Sequence, residues 1–274
     1  MTGKTMAIGK ARTADFGDVS LRMAPKGSGF IGRAFRAGKP IGDAEGESAD
    51  AVWMALQDLV SKSDPRYFGF DGAIARFLQH FPKGFEDTKY IATERNYKMR
   101  DAATLQSISL EDAASGKGFG ETVLTSMKKT DLLHTSEKIA VTDLLRSDLG
   151  DGYVQAAAKF TLNPSAATIG ALSAALAAKG KTNWVLATYL PFLWQPDRHM
   201  FLKPEITREF AARVGHRFDT DYESGLAYPV YASLLDLVDR TRTEIAAFKP
   251  RDNIDIHTFI FVVGRYAVTP DKPV

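Results

Sequence analysis

Apolar residues recur at the spacing of an α-helix through most of the chain after residue 48. The stripes follow the i, i+3, i+4 pattern of helices that bury one face, and caps, prolines and glycines separate them. The positions predicted to start helices are Ser48, Asp71, Asp87, Ser136, Pro164, Pro204 and Pro229. Gly180 and Gly215 are placed to end two of these helices. The pattern predicts a mainly α protein.

Two apolar runs are less regular. Thr182 to Trp194 is rich in bulky apolar residues and contains Pro191, so we expect a helix with an interruption. Ile254 to Val263 has the β-branched content of a strand, but Asp255 is placed to cap a short buried helix. We favour a helix for this run because the chain offers no evident partner strands.

The first fifty residues have a different character. Asp15 to Met23 can supply one strand, and residues 24 to 47 contain six glycines and four basic residues. Gly27 to Gly32 matches G-x-G-x-x-G, but Gly38 and Pro40 stop the long helix that a dinucleotide site requires. We therefore predict a flexible basic loop rather than a nucleotide fingerprint.

These patterns predict a multi-helix globular bundle with a Gly-rich basic N-terminal segment and at most a small β element. The expected divisions are the N-terminal segment 1–50, a helical domain 51–266 that can form two lobes divided near residue 150, and a tail 267–274.

Composition excludes several classes of protein. The 274 residues are 45% apolar, carry a net charge of +2 and include no cysteine, which excludes a disulfide scaffold and thiolate catalysis. Since the chain has neither an H-E-x-x-H sequence nor a His pair at i, i+4, we expect no metal and no cofactor. No apolar stretch approaches the roughly 18–20 residues of a membrane span, so we expect a cytoplasmic protein without membrane contact.

The first of three polar clusters surrounds Glu94. On a helix, Glu94 shares a stripe with Tyr90 and Tyr97, which would point its carboxylate toward aromatic neighbours and raise its pKa. The alternative is an i, i+4 ion pair with Lys98 on a partly solvated face.

The second cluster is Asp197, Arg198 and His199, a polar loop between Trp194 and Phe201. An Asp held between aromatic anchors can act as a general base or stabilise a developing cation. The alternative is a Pro-Asp turn with Arg198 in solvent and His199 as a buried, hydrogen-bonded histidine.

The third cluster, Arg251 to Asp255, precedes the last apolar run. Asp252 and Asp255 can reach one pocket if a helix begins there, whereas the alternative pairs Asp252 with Arg251 and leaves Asp255 as a cap. Because short connections make helices antiparallel, we expect this loop and the Asp197 loop to meet and share one pocket.

Three segments carry a family resemblance: FPKGFEDTKYIATERNYK (Phe81 to Lys98), LPFLWQPDRHMFLKPEITREFAARVGH (Leu190 to His216) and KPRDNIDIHTFIFVV (Lys249 to Val263). They resemble bacterial anti-phage DNA glycosylases that excise hypermodified, glucosylated cytosine, and the similarity covers roughly residues 68 to 266. The resemblance implies base flipping from double-stranded DNA, cleavage of the glycosidic bond and an abasic product. The chain lacks the Leu-Pro-Gly-type hairpin of helix-hairpin-helix glycosylases.

The resemblance implies a role for each polar cluster. A carboxylate would stabilise the positive charge that develops on the sugar, and the candidates are Asp255, Asp252, Glu94 and Asp197. The substrate ligands would be Arg198, His199, Asn253, Tyr97, Trp194 and Phe201. The DNA phosphates would contact Lys26, Arg33, Arg36, Lys39, Arg95 and Arg251.

Two other classes of protein remain open from the residues alone. A module that reads modified DNA for a defence or restriction system needs the same pocket and basic rim without a catalytic carboxylate. A helical interaction protein would use the polar clusters only as caps and ion pairs.

Overall fold

A computed structural model describes residues 11–16, 19–64, 66–178, 180 and 182–265. The protein is mainly α, with 64% helix and a small four-stranded antiparallel sheet. Contacts between residues divide it into two units, one up to Ala73 together with Ala211–Asp221, the other Ile74–Phe210 together with the chain from Tyr222. The predicted tail 267–274 lies outside the described residues.

The first unit begins with an antiparallel meander in the order β1-β2-β3-β4. The strands are β1 Arg12–Phe16, β2 Val19–Lys26, β3 Gly29–Arg36 and β4 Lys39–Gly46. The predicted flexible basic loop is therefore wrong. Two of its glycines, Gly27 (φ +60°) and Gly38 (φ +74°), supply the left-handed backbone that tight hairpin turns require. The G-x-G-x-x-G sequence accordingly runs from a turn into a strand.

One face of the sheet is covered by helix α1, Ala49–Lys62. The strands alternate buried and exposed positions, as expected for a sheet with one covered face. The shared apolar core consists of Val19, Leu21, Met23, Phe30, Ala34, Val52, Trp53, Leu56 and Val60. This alternation was hidden in the sequence because glycine and alanine occupy several inward positions.

The remaining helices run in chain order through both units. They are α2 Gly69–His80, α3 Thr88–Tyr90, α4 Asn96–Gln106, α5 Leu110–Ser115, α6 Gly120–Lys129, α7 Thr135–Leu145, α8 Gly150–Leu162, α9 Ala166–Ala177, α10 Trp184–Trp194, α11 Pro204–Val214, α12 Phe218–Asp221, α13 Tyr228–Glu244 and α14 Asn253–Arg265. Residues Ile91–Arg95, between α3 and α4, form a π-helical turn. Within the described ranges, no helix is long and apolar enough to cross a bilayer.

Several helix starts are confirmed by their caps. Ser48 Oγ accepts a hydrogen bond from Ala51 N at 3.3 Å, and the Asp87 side chain accepts one from Lys89 N at 2.9 Å. Pro204 begins α11, as predicted. These starts were predictable because each depends only on residues within one turn.

Two other starts were predicted wrongly. Helix α7 is capped by the His134 ring rather than by Ser136, because Glu137 bonds back to His134 N at 2.7 Å and closes a capping box. The next helix, α9, begins after Ser165, whose hydroxyl accepts from Thr168 N at 3.3 Å. That reciprocal cap displaces the predicted start at Pro164.

Helix α10 forms the centre of the second unit, and every residue from Trp184 to Trp194 is buried. This explains why its sequence is almost entirely apolar, since no face of the helix meets water. The predicted interruption at Pro191 is wrong, because the helix continues through this residue to Trp194. Thr188 Oγ1 accepts a hydrogen bond from Leu202 N at 2.9 Å, which ties α10 to the segment that leads into α11.

Helix α14 confirms the helical interpretation of the last apolar run. Near its end it meets the first turn of α11 closely enough that only glycine fits. A Cβ atom on Gly264 would stand 2.6 Å from Ile206 O and 2.9 Å from Ile206 Cγ2. At this position the backbone of α14 therefore packs directly against the backbone and side chain of Ile206 in α11.

Gly264→Ala is expected to lower the free energy of unfolding by about 1–3 kcal/mol, because the added methyl group collides with backbone that cannot rotate away. Gly170→Ala is the matched control, since a Cβ at that exposed position of α9 meets nothing within 4 Å. The control should gain roughly 0.5–1 kcal/mol from helix propensity. Urea titration measures both, and equal gains in the two variants would contradict the close contact.

Candidate functional site

A buried ion-pair network joins the first and third predicted clusters within the second unit. Arg95, at the end of the π-helical turn, donates to both carboxylate oxygens of Asp252 at 2.9 and 2.7 Å. The same guanidinium reaches Asp255 at 2.7 Å. The side chains of Arg95 and Asp252 are each only 10% exposed. Arg95 is the buried residue of this π-helical turn, a type of helix that is rare and frequent at functional sites.

Asp255 is completely buried and fully hydrogen-bonded. It accepts from Arg251 N at 2.9 Å, from Arg251 Nε at 2.8 Å and from the Tyr90 hydroxyl. Burial alone would raise the pKa of Asp255, but the hydrogen bonds from Arg251 and Tyr90 and the charge of Arg95 outweigh it and hold the pKa below its ordinary value. The carboxylate is thus ionised and occupied by donors of the protein itself.

The cap of α14 is Asp252 rather than Asp255. One Asp252 oxygen accepts from Ile254 N at 3.0 Å and from Asp255 N at 3.3 Å. The expected pairing is also exchanged, because Arg251 bonds Asp255 and Asp252 bonds Arg95. Proximity in sequence favoured Arg251 as the partner of Asp252, but the observed partner, Arg95, lies 157 residues away.

Glu94 forms the expected i, i+4 pair with Lys98 at 3.0 Å, but not on a solvated face. The Lys98 side chain is 1% exposed and also donates to Thr258 Oγ1 at 2.8 Å. Burial lowers the pKa of Lys98, against the opposing effect of the Glu94 charge. Tyr97 is half-buried beside this pair. The pair is therefore an internal connection between α4 and α14.

His199 is buried and bonded on both ring nitrogens. Nδ1 lies 2.8 Å from the Tyr231 hydroxyl and Nε2 lies 2.9 Å from Thr161 O. Burial lowers the pKa of His199 to about 4, so the imidazole is neutral near pH 7. Asp197 and Arg198, in the same loop, are exposed.

The two loops that were expected to meet are in direct contact. Asn253 N donates to Pro196 O at 3.0 Å, and Asn253 Nδ2 donates to His199 O at 2.9 Å. Asn253 also accepts from Arg242 Nη2. Trp194 and Phe201, which border the first loop, are buried in the core. The junction is thus a packed seam in which the side chains bind one another.

The basic residues predicted to contact phosphate are distributed over both units. In the first unit Lys26 pairs with Glu45 at 3.0 Å and Arg33 pairs with Asp43, while Arg36 donates to Ser63 Oγ at 3.1 Å. The remaining one there, Lys39, is exposed. The two in the second unit, Arg95 and Arg251, belong to the ion-pair network around Asp255.

An open cleft of about 520 Å³ lies elsewhere in the second unit. It is bordered by the starts of α7, α10 and α11 and by the end of α14. Its lining residues are His134, Glu137, Val185, Lys203, Pro204, Glu205, Ile206, Arg208, Tyr222 and Arg265. The lining therefore includes three cationic side chains, two carboxylates and one tyrosine ring.

Most of these cleft residues were missed in the sequence. Lys203 to Arg208 are contiguous within the Leu190–His216 segment, so this part of the lining could have been predicted from the sequence. His134, Tyr222 and Arg265 come from distant parts of the chain, and no local spacing relates them. Only the tertiary fold brings these three residues to one place.

Among the described residues, no group of three His, Asp or Glu side chains is arranged to hold a metal ion. The chain matches no protein family model, no curated protein and no solved structure. The family resemblance therefore stays a prediction.

Proposed function

We propose that this protein binds DNA that carries modified cytosine bases and receives one extruded base in the cleft of the second unit. The observation that carries the proposal is the composition of the cleft. Three cations, an aromatic ring and two carboxylates line a single open space of about 520 Å³. Enclosing an extruded base requires a stacking surface, hydrogen-bonding groups for the base edge and cations for the flanking phosphates.

The cleft has the size and polarity for such a ligand. Pockets for small ligands measure roughly 300–1,000 Å³, so a base with a bulky substituent fits the observed volume. Tyr222 offers a ring for stacking, and Glu205, exposed in the first turn of α11, can accept hydrogen bonds from an amino or hydroxyl group. Lys203, Arg208 and Arg265 provide the positive charge that DNA phosphates attract.

The pairing of the candidate catalytic carboxylates supports recognition of the DNA without cleavage. Asp255 and Asp252 are held by arginines and Glu94 is held by Lys98. Asp197 lies on an exposed turn and is not part of the cleft lining. A carboxylate that stabilises the sugar cation must reach the substrate, which the three paired groups do not do in this arrangement.

Glycosidic cleavage is the second candidate, and Glu205 favours it. Its carboxylate is exposed and lines the same cleft, where it could face the sugar of an extruded nucleotide. In that case the catalytic residue is Glu205 rather than any acid of the buried network.

The test is a binding titration with plain duplexes and with duplexes that carry glucosyl-hydroxymethylcytosine, followed by alkali. We expect modified DNA to bind at least about tenfold more tightly, a difference of about 1.4 kcal/mol. Tyr222→Ala should remove the preference, whereas Tyr67→Ala, which changes an exposed tyrosine of the first unit, should keep it. Equal affinity for both duplexes would refute the proposal.

The alkali step separates the two activities. Intact modified DNA after alkali supports recognition alone, whereas strand breaks at modified cytosines show base excision. If breaks occur, Glu205→Gln should abolish them while binding persists, and breaks that persist in this variant exclude Glu205 as the catalytic acid.

A further inference from the structure

We propose that the cleft selects a base by the edge that carries an amino group, with His134 as the hydrogen-bond donor and Glu205 as the acceptor. The inference rests on the proposed function in placing a base in the cleft, but it names the edge that is read and requires neither a modification nor a phosphate. The ligands that fit are bases in which an amino group adjoins a ring nitrogen without hydrogen, as in cytosine and adenine.

His134 caps α7 with its ring, and this cap fixes the position of the ring proton. Nδ1 lies 3.4 Å from Ser136 N and 3.0 Å from Ser136 Oγ. Because a backbone N–H can only donate, Nδ1 must accept and therefore carries no hydrogen. The proton of the neutral imidazole is then on the other nitrogen, Nε2. We assign Nε2–H as a donor of the cleft, since the His134 ring is exposed and lines it.

Glu205 supplies the acceptor. It is exposed in the first turn of α11 and lines the same cleft. Among the residues that the structure describes, no hydrogen bond or ion pair to another side chain involves Glu205. A carboxylate accepts hydrogen bonds and does not donate them. Its oxygens therefore favour an amino group and repel a carbonyl oxygen at the same position.

A single oxygen atom holds the donor and the acceptor in one region. Glu137 Oε2 accepts from His134 N at 2.7 Å and from Lys203 Nζ at 2.8 Å. Lys203 directly precedes Pro204, the first residue of α11. The starts of α7 and α11 are thus joined through one carboxylate, which also closes the capping box of α7. The donor belongs to one of these helix starts and the acceptor to the other.

Tyr222 provides a ring near the acceptor. The guanidinium carbon of Arg208 is 5.3 Å from the centre of this ring. Burial raises the pKa of the Tyr222 hydroxyl, and the charges of Arg208 and Glu205 act on that pKa in opposite directions. The Glu205 carboxylate is therefore close enough to the ring for its charge to act there. A base stacked on Tyr222 would lie beside the carboxylate that reads its edge.

Uracil presents the reverse of the cytosine edge. It has a carbonyl oxygen where cytosine has the amino group, and an N–H where cytosine has an acceptor nitrogen. In the cleft this edge would set oxygen against the Glu205 carboxylate and N–H against His134 Nε2–H. Each mismatch leaves polar groups without a partner, which costs binding free energy. A site built on hydrogen bonds rejects such analogues more strongly than an apolar pocket does.

The experiment compares deoxycytidine with deoxyuridine by calorimetry, because the two nucleosides have the same size and charge and differ at this edge. We expect deoxycytidine to bind at least about tenfold more tightly. Glu205→Gln should reduce the preference to about twofold or less, since an amide can present either a donor or an acceptor. Glu121→Gln, which changes an exposed acid in the first turn of α6 outside the cleft lining, should keep the preference.

Two variants of His134 separate reading from capping. His134→Ser removes the ring but keeps a hydroxyl that can cap α7, so the melting temperature should stay near that of the parent while the preference is lost. His134→Ala should lose both the preference and stability. If His134→Ser keeps the full preference for deoxycytidine, His134 acts only as a cap and the inference is overturned.

The results distinguish this inference from the proposed function. Equal binding of the two nucleosides by the parent protein, or binding of neither, overturns the reading of the amino edge. If modified duplexes are then still preferred over plain ones, the proposed function stands alone. If deoxycytidine is preferred through His134 and Glu205 while both duplexes bind equally, the modified-base proposal fails and the reading of the edge stands.

Discussion

Replacing Arg95 with methionine is expected to lower the free energy of unfolding by about 3–5 kcal/mol, because it leaves buried carboxylates without their cation. Arg95 contributes three hydrogen bonds, two to Asp252 and one to Asp255, and all three side chains are buried. Asp255 keeps Arg251 and Tyr90, so most of the loss should arise at Asp252. Urea titration of the variant and the parent protein measures the change.

Two further variants test the origin of that loss. Arg33→Met removes a comparable pair with Asp43 on the exposed sheet face, where water can replace the partner, so its effect should be much smaller. Adding Asp252→Asn to Arg95→Met removes the uncompensated charge and keeps an oxygen for the α14 cap, so stability should partly return. A loss in Arg95→Met no larger than in Arg33→Met would contradict a tightly coupled buried network.

Acidification from about pH 7 to about pH 4 is expected to lower the free energy of unfolding by about 3 kcal/mol through His199 alone. Burial holds the pKa of His199 at about 4, against an ordinary value of 6.5. Between these values the unfolded chain binds a proton that the folded protein does not. Stability is therefore complete above about pH 7 and falls as the pH drops through 6.5 toward 4. His257 acts in the same direction.

His199→Gln isolates this contribution. The variant removes the titrating ring, so the fall in stability between about pH 7 and about pH 4 should shrink by roughly the same 3 kcal/mol. A residual slope is expected from His257, and Asp255 adds to it only at lower pH, because its own pKa lies below the ordinary value. If urea midpoints of variant and parent change in parallel with pH, His199 is not the group responsible.

Local chemistry made much of the helical fold predictable. The start of a helix is set by residues within one turn, as at Ser48, Asp87 and Pro204. The apolar run of α10 likewise indicates that this helix is buried. Only one of the four strands was predicted, and the reason is again local. Gly27 and Gly38 suggested flexibility, but a glycine with positive φ is also what a hairpin turn needs, and the sequence alone does not distinguish the two.

The site depended on relationships that no local pattern contains. The loops around Asp197 and Asp252 were correctly expected to meet, because antiparallel helices bring their ends together. The partner of Asp252 was not predictable, since Arg95 lies 157 residues earlier in the chain, at the end of a π-helical turn. Tyr222 and Arg265 likewise join the cleft through the packing of distant helices.

The contact at Gly264 also bears on how a ligand enters the cleft. Arg208 stands on α11 and Arg265 ends α14, and these helices meet without intervening side-chain space at Gly264 and Ile206. The two guanidinium groups are thus carried on helices that are in close contact at this point. For the proposed ligand, we therefore expect an opening whose helices already touch, so that little conformational entropy of the backbone is lost on binding. In that proposal, selectivity would arise from exclusion, since a molecule of the wrong shape does not fit the existing opening.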